Sequence, residues 1–310
     1  MAPSGKWIEG IGPETTVTDA ARRSLELRLA VVAHTLPLAA HLAEHDIEHV
    51  HRLRVATRRA AAALKLYRDW LPQKSARWIK KRLRQIRRAA SEARDLDVLI
   101  QRLQSYSDTQ AEPIVRFLVE KRAAMQPNIV EAAEDMRRDD RFVRKAARLF
   151  SKIAPSENES EMASCQCLRK WAPQQLAAFR SAFLELLPNG SDDIEALHQF
   201  RIRTKALRYA IELLAPAFEP QMRFVIYPAV EKLQERLGKV TDHIAAIRLF
   251  TEWESHNAAQ TVREAASLMD VEQAQEAADL RDFRDWWSSA QADWIEQSLA
   301  NRTGIGCWQF

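Results

Sequence analysis

HRLRVATR, residues 51–58, returns as HQFRIRTK, residues 198–205. The offset is 147 residues, and it holds further along the chain. Leu64 falls on Ile211, Leu66 on Leu213 and Asp95 on Asp242. One constant offset over about 45 residues marks an internal repeat, so the chain reads as two related halves rather than two unrelated domains. At about 100° per residue, His51, Arg54, Arg58, Ala62 and Lys65 share one helical stripe. His198, Arg201, Lys205, Tyr209 and Glu212 do the same in the second copy. Leu53, Leu64, Phe200, Leu207, Ile211 and Leu214 lie on other faces and suit a core.

The surrounding composition makes both copies helical. The 310 residues include only 7 glycines, and between Pro13 and Thr303 only Gly190 and Gly238 remain. That excludes G-x-G-x-x-G and G-x-x-x-x-G-K-[ST] phosphate loops. Abundant Ala, Leu, Arg, Glu and Gln with no strand alternation predict an all-α chain. The prolines set the expected boundaries. A first helix spans about 16–36 and ends near Pro37, and a second, capped by Asp46, runs to about Trp70. A third runs from about Ser75 to Tyr106. A pair fills 111–152, broken around Pro127, and an exposed polar linker covers 155–164. A helix over 168–187 is interrupted near Pro173. The turn at 188–192 precedes a helix to about Leu214. A long helix follows Pro220 to about Trp253, and two more reach about Ala300.

Charge is unevenly spread. The formal net charge is +4, yet residues 51–102 hold 16 Lys/Arg against 4 Asp/Glu, and residues 250–310 hold 4 against 11. Arg77, Lys80, Lys81, Arg84, Arg88 and Asp95 form a second basic stripe on the helix after the first repeat copy. Cations three and four residues apart repel one another, so such stripes imply either solvation or a bound polyanion. Recurrence of the pattern, the leading His in each copy and the preference for Arg in the first copy favour an anion. Arginine's planar fork suits phosphate oxygens, and a bound anion would raise the pKa of the two histidines.

Other chemistry finds little support. Cys165, Cys167 and Cys307 form neither a disulfide framework nor a zinc set, which points to a reducing, cytoplasmic setting. No stretch is long and apolar enough to span a bilayer, and no leader precedes the first helix. His41, His45 and His49 are spaced to share one helical face, but a polar surface cluster explains them better than a metal does. No nucleophile, base and orienter come together, so no enzyme activity, cofactor or metal is expected.

The paired segments resemble the conserved histidine α-helical domain family, CHAD. His51-Arg-Leu-Arg54-Val55-Ala-Thr-Arg58-Arg59 followed by Arg94-Asp95-Leu96-Asp97-Val98 is similar to its signature. His198-Gln-Phe-Arg201-Ile202-Arg-Thr-Lys205 followed by Asp242 repeats it. The resemblance covers roughly 16–255, with halves at about 16–154 and 165–255. It leaves 1–15 as a tail and 256–310 as an acidic, Trp-rich helical extension. It implies two pseudo-symmetric antiparallel helical bundles whose basic faces meet at a central groove or pore. It also implies non-catalytic binding of inorganic polyphosphate and an association with polyphosphate granules.

Carried over by position, the implied ligand residues are His51, Arg54, Arg58, Arg59, His198, Arg201, Lys205 and Arg208. On the companion helices they are Arg84, Arg88, Arg94, Lys232 and Lys239. Asp95 and Asp242 are read as orienting basic side chains or capping a bend. Thr241 replaces the arginine matching Arg94, and Ile244 replaces Asp97. The absence of a β-rich triphosphate-tunnel partner suggests a stand-alone version. A nucleic-acid-binding helical protein is the alternative, weakened because no aromatics interleave the basic stripes for base stacking. For the acidic end, with Trp286, Trp287 and Trp294, three readings stay open: a hairpin packed on the second bundle, a cover over the groove, or a homodimer contact.

Overall fold

The computed structural model describes residues 6–105, 112–154, 166–187, 193–254, 259–287 and 289–300. Among these, ten α-helices, three 3-10 turns and one π-helical turn make up the regular structure, with no strand beyond one isolated bridge, Thr16 to Cys167. In the first half they are α1 (Val17–His41), α2 (Glu48–Leu66), α3 (Gln73–Ser105), α4 (Glu112–Arg137) and α5 (Arg141–Phe150). In the second they are α6 (Leu168–Leu184), α7 (Ile194–Leu214) and α8 (Tyr227–Glu254), followed by α9 (Ala259–Trp286) and α10 (Ser289–Ala300).

Local chemistry explains most ends. Thr16 caps α1 by accepting from the Asp19 N–H, and Asp193 caps α7 by accepting from Glu195 N–H at 2.9 Å. Asp46 accepts from the Glu48 N–H at 2.9 Å where α2 starts. Each end thus finds partners for donors that helix geometry leaves orphaned.

Three proline expectations need correcting. Pro37, Pro127 and Pro173 lie inside continuous helices. Each removes one N–H and one backbone bond, a loss that packing offsets. The end of α1 shows how: Gln126 of α4 donates to the carbonyls of Ala39 and Ala40 at 2.9 and 2.8 Å, satisfying the last turn beyond Pro37. The break expected at Pro127 falls instead at the 3-10 turn Arg138–Asp140, where Asp140 adopts φ 47°. Aspartate tolerates that left-handed backbone better than most residues. The histidine expectation also fails. His41 ends α1 and α2 begins at Glu48, so the chain turns at His45 and the three imidazoles share no helical face. The linker 155–164, the turn 188–192, Cys165 and Cys307 lie outside the described residues.

Within the first half α1 packs on α2 and α4, and α3 on α2, α4 and α5. In the second, α7 packs on α6 and α8, and α8 on α9. The halves meet through α2 against α7 and α1 against α6. Leu53, Leu64, Phe200, Leu207, Ile211 and Leu214 are all buried in one core that runs through both halves. Each such side chain contributes about 1.5–3 kcal/mol. Trp286 and Trp287 are partly buried against this core, with Trp287 tilted on Phe200 at 5.7 Å, whereas Trp294 is exposed. A smaller apolar cluster joins α3 (Leu99, Leu103), α4 (Ile114, Leu118), α8 (Phe250) and α9 (Leu268).

Candidate functional site

The crossing of α2 and α7 leaves a cleft between the halves, with α3 and α8 completing its walls. Its volume is about 550 Å³. The lining includes His51, Arg54 and Arg58 from α2, Arg94, Asp95 and Arg102 from α3, His198, Arg201 and Lys205 from α7, and Gln234, Thr241 and Asp242 from α8. The first three residues of each stripe therefore point into one space, while Lys65 lies over the Phe179 ring and Glu212 is buried against Arg59 and Arg208. Of the thirteen candidate residues, seven line it: His51, Arg54, Arg58, Arg94, His198, Arg201 and Lys205.

Two ion pairs stand at the same positions in both repeat copies. Arg54 donates to Asp95 at 2.8 Å and Arg201 to Asp242 at 3.3 Å. Both aspartates are about half exposed, so an anion that offers better oxygens can displace them. The Nε atoms of Arg54 and Arg201 are buried without a hydrogen-bond partner among the described residues. Arg94 pairs with Glu48 at 3.2 Å. Arg58 and Lys205 have no carboxylate within ion-pair distance among the described residues.

The electrostatics of the cleft follow. Burial, and then the neighbouring Arg201, Arg58 and Arg54, push Lys205 down to about 7 despite Asp242. Burial and Arg54 also lower Arg58. Arg201 is lowered by burial, against the pull of Asp242. His51 is lowered by burial and by Arg94, with Glu48 opposing. The expectation of an elevated histidine therefore applies to the anion-bound protein, since its cationic surroundings favour neutral imidazole until an anion arrives.

Arg102, which lines the cleft from α3, belongs to a buried cluster that sequence reasoning missed. Arg102 lies 3.1 Å from Glu272 of α9, whose carboxylate is fully buried. His243 of α8 faces that carboxylate through Nδ1 at 2.5 Å and Asp279 through Nε2 at 3.1 Å. The bond with Glu272, joined by that with Asp279, raises the His243 pKa despite burial. Arg102 was accessible to reasoning, since it continues the α3 stripe seven residues after Asp95. Glu272 carries no such signal, because only the fold of α9 onto α8 brings it there.

The other six candidates lie elsewhere, each for a physical reason. Arg59 makes a bidentate pair with Glu212 at 2.7 and 3.0 Å. Arg208 donates to Tyr227 at 2.9 Å and Glu231 at 3.0 Å, and Tyr227 donates to Glu212 at 2.8 Å. Arg28 adds a third guanidinium 3.6 Å from Glu212, and its pKa falls to about 10 through burial. Arg59 and Arg208 thus hold a buried seam between the halves. Arg84 and Arg88 are exposed on the outer length of α3, with Arg88 3.4 Å from Glu92. Lys232 lies over the Trp286 ring at 5.7 Å, and Lys239 points to solvent.

Comparison with known proteins agrees with this architecture. The crystal structure of the CHAD domain from the plant Ricinus communis is similar with a TM-score of 0.70 at 22% identity, over 90% of this chain and 94% of that one. PptA from Streptomyces chartreusis is similar with a TM-score of 0.57 at 16% identity, over 88% of this chain and 99% of that one. At such identities the likeness speaks for the fold. No curated protein matches the chain. The CHAD domain family matches residues 25–251, a span that contains every residue lining the cleft, and the chain belongs to the CHAD family.

Proposed function

We propose that the protein binds inorganic polyphosphate in the cleft between its halves and does not hydrolyse it. The observation that carries this reading is the convergence of two repeat-related sets, His51/Arg54/Arg58 and His198/Arg201/Lys205, on one cavity. A linear polyanion with a charge on every phosphate can engage both sets at once, which favours longer chains. Three features support binding over catalysis. Asp95 and Asp242 are each occupied by an arginine. Thr241 donates its hydroxyl to the carbonyls of Leu237 and Gly238 in its own helix. The lining holds no serine or cysteine, and its one hydroxyl is that of Thr241, engaged as described. Among the described residues no helix is long and apolar enough to cross a membrane. We place the protein in the cytoplasm, as its cysteine usage suggests, and at polyphosphate granules, as the family resemblance implies.

The test is binding to medium-chain polyphosphate at two salt concentrations, with RNA and duplex DNA as competitors. Affinity should fall steeply with salt, because each neutralised phosphate releases counterions. Polyphosphate held against excess nucleic acid supports the reading. Equal displacement by RNA overturns it in favour of general polyanion attraction.

A further inference from the structure

The stripe of Arg77, Lys80, Lys81, Arg84 and Arg88 is not used by the cleft, yet it lies on the same helix that lines it. Helix α3 is unbroken from Gln73 to Ser105. At 3.6 residues per turn, Arg77, Lys81, Arg84 and Arg88 share the azimuth of Asp95 and Arg102, which do line the cleft. Lys80 flanks them by one position. All five cations are exposed, and no acidic residue occurs from Gln73 to Ser91. Arg77, Lys80, Lys81 and Arg84 have no carboxylate within ion-pair distance among the described residues. The stripe therefore carries unrelieved like-charge repulsion along the helix. The second half offers no counterpart, because Lys232 and Lys239 alternate with Glu231 and Glu235 on α8.

From this continuity we infer that α3 is a track: the part of a long polyphosphate chain that leaves the cleft runs outward over Arg88, Arg84, Lys81 and Arg77. The rise per residue makes the path from Arg102 to Arg77 about 37 Å long, well beyond the cleft itself. The occupant is chosen by charge and by what the stripe lacks. From Arg77 to Arg84 it presents cations only, Arg88 being held 3.4 Å from Glu92 where the track meets the cleft, and it has no free ring to stack a base. The nearby Trp78 is covered by the guanidiniums of Arg82 and Arg141 at 5.6 and 5.5 Å. A backbone of phosphates without bases suits the unpaired cations of the track and would take the place of Glu92 at Arg88. This inference rests on the polyphosphate reading of the cleft, and it adds a length preference set by one half alone.

The experiment compares tripolyphosphate with long-chain polyphosphate on wild type and on the triple variant Arg77→Glu/Lys81→Glu/Arg84→Glu. A milder Ala triple serves as a second variant, and thermal unfolding checks the fold of both. The expected result is an unchanged affinity for tripolyphosphate and a loss of about tenfold or more for the long chain. The slope of log affinity against log salt should shrink by about 2–3 for the long chain only. Unchanged long-chain binding in both variants overturns the track, as does an equal loss for both ligands. Loss of RNA binding with polyphosphate binding intact also overturns it, by assigning the stripe to nucleic acid. Wild type that binds neither phosphate sinks the cleft reading itself, an outcome visible before any variant is made.

Discussion

One wall of the cleft is built on α2 and α3, the other on α7 and α8. Both begin alike, with His51, Arg54 and Arg58 facing His198, Arg201 and Lys205, and with Asp95 and Asp242 each holding an arginine. They then diverge. The first wall keeps Arg94 where the second has Thr241, and its helix stays basic along the outer surface. The second wall replaces Leu96 by His243 and meets the acidic α9 through Glu272 and Asp279. The shared part is the set of side chains that lines the cleft from both sides. The divergent part makes the walls unequal, with exposed cations continuing along α3 and His243 of α8 engaged by carboxylates of α9.

The largest expected effect tests whether the walls are held together as described. Glu212→Gln leaves Arg28, Arg59 and Arg208 buried around a neutral group. It should destabilise the protein by about 3 kcal/mol or more in chemical unfolding. Polyphosphate affinity of the folded fraction should stay within about twofold. A loss of affinity with unchanged stability would place the cluster in the binding surface instead.

Next comes the equality of the walls at the cleft. Arg54→Glu with Arg201→Glu should weaken polyphosphate binding by about a hundredfold, and each single reversal by about tenfold. Wild-type binding by the double variant removes the cleft from consideration. A tenfold effect on one wall only would show that the repeat copies no longer share the ligand.

A smaller effect separates Lys205 from its counterpart Arg58. Lys205 titrates near 7 in the cleft against 10.5 when unfolded. Between these values the unfolded chain holds the extra proton, so stability rises with pH across that window. A polyanion restores the charge, takes up a proton on binding and binds less tightly as pH rises above 7. Lys205→Met should raise stability at pH 7 by about 1 kcal/mol or more. It should also weaken binding a few-fold and flatten its pH dependence. Titration calorimetry in buffers of different ionisation enthalpy reads the proton uptake directly, and none at pH 8 would contradict the assignment.

The smallest effect is expected where the second wall leaves the cleft. Lys232→Ala and Lys239→Ala should each change polyphosphate affinity by less than about twofold, since neither faces the ligand space. A larger loss for Lys239 would give the second wall an outward track of its own.

The sequence made the helical class legible because it depends on local quantities. Glycine scarcity, helix propensity and the 3.6-residue period act within a few residues of one another. The repeat made the two cleft-facing stripes legible, since His51 and His198 each set a helical phase that Arg54, Arg58, Arg201 and Lys205 share. Proline misled three times, because the loss of one backbone bond is a local cost that tertiary packing outweighs. Gln126 reaching α1 from 86 residues away in sequence is one such contact.

The charge pattern in the sequence left solvation or a polyanion as its answer, and it could not say which cations would face the cleft. Arg58 and Arg59 are neighbours in the chain and about 100° apart on the helix. That angle, together with the position of α7, sends one into the cleft and the other onto Glu212. Arg208 is withdrawn in the same way by Tyr227 and Glu231. Only the tertiary structure made this partition, because it alone sets Glu212 and Glu231 beside Arg59 and Arg208 and leaves Arg58 without a carboxylate among the described residues. It also joined Arg102 to Glu272 across 170 residues, which no helical period encodes. The sequence thus determined the faces and their charge, and the packing of those faces decided which charges remained free for a ligand.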